Sequence, residues 1–184
     1  MRFISSHLSC LGFVSFFLST SLALAESSPA APNLKSVLLK QLKETHNEEA
    51  WFAPVKIAVE GLTPEQAAWK DATDNHSIAQ LVNHLIFWNK QQLAKFKGEN
   101  TTPFNGDNKE TFTGLDKASW EASVKEIDDV MVAWEKAIES ADEAKLAKWY
   151  ETIARISTHN AYHTGQIIYI RKTKGNWDPA KGVK

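Results

Sequence analysis

Cysteine is almost missing from this chain: Cys10 is the only one among 184 residues. A disulfide within the chain is therefore excluded, and a thiolate nucleophile or thiolate metal site has one candidate at most. Glycine (8) and proline (6) are too scarce for a fibrous repeat or a disordered chain. Charge of one sign is lacking too. The 21 Lys and Arg stand against 22 Asp and Glu, for a formal net charge of −1, so the composition argues against a nucleic-acid binder, which would carry a basic excess. There is no strand-like alternation, no internal repeat, and no apolar run of membrane-spanning length.

What is present begins with a targeting pattern. Arg2 supplies a basic start, Leu11–Leu18 an apolar stretch short for a span, and Ala23-Leu24-Ala25 a small-x-small cleavage site. Residues 1–25 read as a signal peptide, and the product as periplasmic or secreted with no stable membrane anchor after processing. Cys10 does not suit lipid attachment, because His7 stands where an aliphatic residue is needed. Cleavage removes both Cys10 and Arg2, leaving 20 basic residues against 22 acidic ones. A chain of the remaining size can build a core without disulfides.

Residues 26–33 form a polar, proline-bearing lead-in, with Asn33 placed to cap a helix. Four long amphipathic helices follow, which argues for an all-α four-helix bundle over 34–175 and a tail over 176–184. The first spans about Leu34 to Val59 on Leu34, Val37, Leu38, Leu42, Phe52, Val55 and Val59, with Pro54 set to kink or split it. Thr63-Pro64-Glu65 reads as the start of a short helix. The second long helix spans Ser77 to Lys97, with a capping box at Ser77-Ile-Ala-Gln80 and Gly98 as its stop. A polar connection over 99–115 is long enough to cross from one end of a bundle to the other. The third helix runs from Lys117 to Ser140 behind Asp116 as cap, and the fourth from Trp149 to Lys174.

The fourth helix carries His159-Asn-Ala-Tyr-His163-Thr-Gly-Gln166. Two histidines four residues apart lie on one helical face, roughly 40° apart around the axis and about 6 Å along it. Such a pair can be solvated surface or can hold one divalent ion. Three details favour the ion. Isoleucines flank the pair. Gly165 sits mid-helix, where it costs about 1 kcal/mol relative to alanine, so a close packing partner or a ligand is needed to justify it. And His84, on the second helix, falls beside Leu81, Leu85 and Trp88 on the inward side. Three imidazoles would leave a coordination position open, and they accept zinc, nickel, copper or iron. The zinc-protease pattern is excluded, because Asn160 stands where that motif has its glutamate base.

Other residues read more plainly. His46, near Glu44, Glu48 and Glu49, reads as solvated surface, and His76 as a loop or cap residue. Trp88 and Tyr162 read as core. Gln166 either orients a ligand or completes a core hydrogen bond. Asp71 and Asp74 are the bases nearest in sequence, without a placement at the metal.

The stretch Ser77-Ile-Ala-Gln-Leu-Val-Asn-His84-Leu-Ile-Phe-Trp88, followed by His159-Asn-Ala-Tyr-His163-Thr-Gly-Gln166-Ile, resembles the DinB-like (YfiT-like) superfamily of metal-binding bundles. The resemblance extends over about Leu34 to Gly175. It implies up-down-down-up topology with a long connection between the second and third helices. It implies zinc or nickel bound by His84, His159 and His163, and a homodimer. For function it implies a metal-dependent transferase joining a low-molecular-weight thiol to a small electrophile. The alternatives are a metal-dependent hydrolase and a non-catalytic metal-binding or structural module. No catalytic residue beyond the ligands is assigned.

Overall fold

A computed structural model describes residues 32–114 and 119–182. The signal-peptide reading, the Asp116 cap and Lys117 lie outside the described residues. Within them the chain is helical, with no strand.

Helix α1 (Leu34–His46) starts at a capping box in which Asn33 Oδ1 accepts from the Ser36 amide and Ser36 Oγ from the Asn33 amide. It stops well before Pro54, which caps the separate helix α2 (Val55–Val59). Of kink and split, the structure shows the split. Thr45, His46 and Asn47 are weak helix formers, and proline disfavours helical backbone in the residue before it. Helix α3 (Pro64–Ala68) has the expected proline at its first position, behind a Thr63–Gln66 capping box. Helix α4 (Ile78–Lys97) has the expected Ser77–Gln80 box and ends at Gly98, whose left-handed φ of 78° lets its amide reach back to the last turn.

After α4 the chain turns back through a 3-10 turn, Asn108–Thr111, to helix α5 (Trp120–Ser140). Helix α6 (Glu143–Thr173) is 31 residues long and begins six residues before the expected Trp149. The reason is local: Asp142 accepts from the Lys145 amide, and Leu146 extends the buried stripe one turn toward the N-terminus. Gly175, with φ 68°, follows its end.

Side-chain contacts set the helix directions. Lys35 reaches the Glu139 carbonyl while His46 meets Asp128, so α1 and α5 are antiparallel. Lys90 pairs with Glu126, and Phe96 with Trp134, so α4 and α5 are parallel. His84 faces His159, and Phe96 faces Trp149, so α4 and α6 are antiparallel. The order is up-down-down-up, and the parallel pair explains the long return after α4. The core contains Leu85, Ile127, Trp134, Ile138, Leu146, Ile153 and Ile167. Each such side chain contributes about 1.5–3 kcal/mol when fully buried.

Four burial readings are corrected by tertiary packing. His46 is 1% exposed rather than solvated, because carboxylates of α5 enclose it. Tyr162 is 62% exposed and Val37 48% exposed, so neither belongs to the core. Trp88 is only partly buried.

Candidate metal centre

Helix α6 presents His159 and His163 one turn apart, and the antiparallel α4 brings His84 between them. The ring centroids lie 5.0 Å (His84–His159), 4.8 Å (His84–His163) and 4.6 Å (His159–His163) apart. One ligand atom from each lies within 4.8 Å of the others. An ion about 2.1 Å from each nitrogen spaces tetrahedral ligands by roughly 3.4 Å, so small ring shifts suffice to close on it.

The register is fixed beside the site by two buried asparagines. Asn89 Nδ2 donates to Asn160 Oδ1 at 2.8 Å, and Asn160 Nδ2 donates back at 3.4 Å. Trp134 Nε1 donates to the Asn89 carbonyl at 3.2 Å. A slip of α4 along α6 would strand these amides in the core, at about 1–3 kcal/mol for each unpaired group.

Hydrogen bonds also set the histidine tautomers. The Thr111 hydroxyl donates to the Asn108 carbonyl at 2.6 Å. Its oxygen therefore accepts from His84 Nδ1, at 2.5 Å, which leaves the Nε2 lone pair of His84 free. Gln166 Oε1 accepts from His163 Nδ1 at 2.6 Å, which leaves Nε2 of His163 free in the same way. His84 Nε2 and His159 Nε2 stand 3.0 Å apart. Two imidazole nitrogens at that separation share a proton or a cation. Burial, reinforced by the neighbouring histidines, lowers the pKa of His84 to about 3 and that of His159 to about 4. Burial lowers His163 too, against the opposing Gln166 hydrogen bond. The rings are thus neutral at ordinary pH, the form that binds metal.

A cavity of about 620 Å³ opens on the triad, walled by Trp88, Phe112, Ile156 and Tyr162, with Arg155 among its lining residues. No fourth His, Cys, Asp or Glu joins the group among the described residues.

The family model of the DinB superfamily matches residues 48–167, a span that includes all three histidines. The chain belongs to the DinB superfamily. Comparisons with curated proteins and with solved structures give no match.

The remaining candidates fall into place around this DinB bundle. Gln166 has the orienting position, on His163. His76 is just outside α4, where it stacks on Phe112 at 3.8 Å, while Phe112 stacks on His84 at 3.9 Å. Asp71 and Asp74 line a different cavity and do not reach the triad. Asp71 accepts from Thr73 and Asn75, and these hydrogen bonds hold its pKa below the usual value. Gly165 has no packing partner: a Cβ added there meets nothing within 4 Å. Sequence reasoning missed Thr111, Phe112, Asn89 and Asn160. The first two arrive from a loop and carry no local signal. The asparagines were readable as polar residues on inward helical faces.

Proposed function

We propose that the protein is an exported metal-dependent enzyme in which His84, His159 and His163 hold one divalent ion, zinc or nickel, and a small substrate enters the cavity beside them. The carrying observation is the open side of the triad: three imidazoles converge, no fourth protein ligand joins them among the described residues, and a cavity of about 620 Å³ adjoins the group. Structural ion sites are closed by four protein ligands, whereas catalytic ones keep a position open. The donor set also fits, since two of the three rings have Nδ1 committed to oxygen acceptors and Nε2 turned inward.

Such an ion acts as a Lewis acid and lowers the pKa of a thiol or water. The protein's own residues bind and orient. Thr111 and Gln166 keep His84 and His163 in the ligating tautomer. Trp88, Phe112 and Tyr162 form an aromatic wall that excludes water from one side. Arg155 offers a cation to an anionic group of the substrate, as carried by low-molecular-weight thiols. Transfer of such a thiol to a small electrophile is the reaction this arrangement supports best, because the mature chain has no cysteine to serve instead. Export rests on residues 1–25. Among the described residues no helix is long and apolar enough to cross a membrane.

The test is metal content by mass spectrometry, without nickel affinity purification, followed by thiol consumption with a chlorodinitrobenzene electrophile. About one ion per chain and metal-dependent conjugation are expected. Bound metal without turnover over a panel of thiols and waterlabile esters would favour the non-catalytic module. Sedimentation of the same sample checks the proposed homodimer.

A further inference from the structure

A second cavity, of about 560 Å³, borders the first and shares Tyr162 with it as a lining residue. One wall is a face of α6: Tyr162, Gly165, Gln166 and Tyr169 recur at three- and four-residue steps, and all four line the cavity. Trp69 and His76, from the segment before α4, also line it. One feature here has no structural account within the bundle. Gly165 lies in the interior of a 31-residue helix, yet a Cβ would meet nothing within 4 Å, so no neighbouring residue demands its smallness.

A ligand accounts for it. Without a side chain, Gly165 leaves a bare floor between Tyr162 and Tyr169, which are 62% and 72% exposed. A flat ring lying on that floor has aromatic edges or faces on several sides. Lys70 and Asp74 line the cavity with opposite signs, and Asp71 is engaged within its own loop, so the walls do not select a strongly charged molecule. The volume is that of an ordinary small-molecule site, with mostly apolar walls and a few convergent polar groups. The concave shape, closed on the other side by Trp69 and His76, suits a small molecule better than a second copy of the chain.

We infer that this cavity binds a small, flat, uncharged aromatic molecule bearing one hydrogen-bonding group, held over Gly165 among Trp69, Tyr162 and Tyr169 with its polar group toward His76 and Gln166. Occupancy reaches the triad through Gln166, which lines this cavity and also holds His163 Nδ1. The site is distinct from the metal cavity, and its occupancy does not require an ion.

Isothermal titration with naphthol tests it, on the wild-type protein with and without zinc and on three variants. Saturable binding of one naphthol per chain is expected in both metal states, which separates this inference from the metal reading. Gly165→Leu fills the floor with a good helix former in open space. It should weaken binding by at least about tenfold with no fall in Tm. His76→Ala removes a wall and should weaken binding as well, while Tyr150→Ala, an exposed tyrosine elsewhere on α6, should leave it unchanged. No saturable binding to the wild type, or undiminished binding to Gly165→Leu, overturns the inference. A dimer dissociated by Gly165→Leu with naphthol binding unaltered also overturns it, and assigns this face to contact between copies.

Discussion

Two buried histidine clusters, on different pairs of helices, turn the same side chain to opposite uses. His84, His159 and His163 bridge α4 and α6, and the hydrogen-bond partners of His84 Nδ1 and His163 Nδ1 are the neutral oxygens of Thr111 and Gln166. His46 bridges α1 and α5 between two carboxylates: Nδ1 lies 2.6 Å from Glu135 and Nε2 3.0 Å from Asp128. Asn47 Nδ2 lies 2.9 Å from Nδ1 as well, so both ring nitrogens of His46 are engaged and neither is left for a metal. In the triad, Nδ1 donates to a neutral oxygen on two of the rings, and lone pairs converge. What separates a ligand site from a structural clamp is therefore the charge on the partners, more than burial or the histidine itself.

The largest effect that can break this comparison is loss of the ion. His163→Ala should remove bound metal entirely, read by mass spectrometry, while the variant stays folded. His46→Ala should do the reverse. It leaves the carboxylates of Glu135 and Asp128 without their buried partner, and leaving a buried hydrogen-bonding group unpaired costs about 1–3 kcal/mol. Asp128 is partly exposed, so Glu135 carries most of the expected loss, about 2 kcal/mol, seen as a lower urea midpoint with metal stoichiometry unchanged. If His46→Ala also lost the metal, the two clusters would be one coupled system and the contrast would fail.

This contrast also shows what a linear reading can reach. The α4 caps, Ser77, Gln80 and Gly98, act within a few residues of one another, and so do His159 and His163. Their geometry follows from helical repeat alone, so they were legible, and the histidine pair pointed to the fold. His84 was legible as inward-facing because its neighbours Leu81 and Leu85 are apolar. His46 was misread for the complementary reason. Its local neighbours are acidic surface residues, while the carboxylates that bury it are 82 and 89 residues away on another helix. Thr111 and Phe112 likewise gain meaning only when the return from α4 lays them on His84. The start of α6 was missed on a smaller scale, because Asp142 caps a turn whose first buried residue, Leu146, stands apart from the isoleucine stripe.

A smaller effect sharpens the role of the neutral acceptors. Gln166→Ala removes the group that holds His163 Nδ1 at 2.6 Å and leaves all three ligands in place. Metal affinity should fall by about 10–100-fold, as when other partners of ligating histidines are lost. Competition against a chelating dye measures it. Gln166→Glu keeps an acceptor at the same position and should retain most of the affinity. If both variants bound like the wild type, the hydrogen bond would have no part in ligand orientation.

Acid stability gives a further comparison, and the two clusters should show it in different pH windows. The triad histidines have folded pKa values below the ordinary 6.5, with His84 near about 3 and His159 near about 4. Between those values and 6.5 the unfolded chain binds protons that the folded chain refuses, so the metal-free protein should lose stability as pH falls through that range. The loss is at most about 1.4 kcal/mol per pH unit for each such histidine. At the clamp, burial alone would raise the Asp128 pKa, but the hydrogen bond and charge of His46, with Lys56, bring it below the ordinary 3.8. Its contribution is therefore complete above 3.8 and is lost only as pH drops further, through the folded value. Urea midpoints of the metal-free protein from pH 7 to pH 3 separate the two. His159→Gln should flatten the upper part of the curve, and Asp128→Asn only the acid end. If Asp128→Asn flattened the curve near pH 6, the clamp would be titrating where the triad is expected to, and the division of labour between the two clusters would have to be withdrawn.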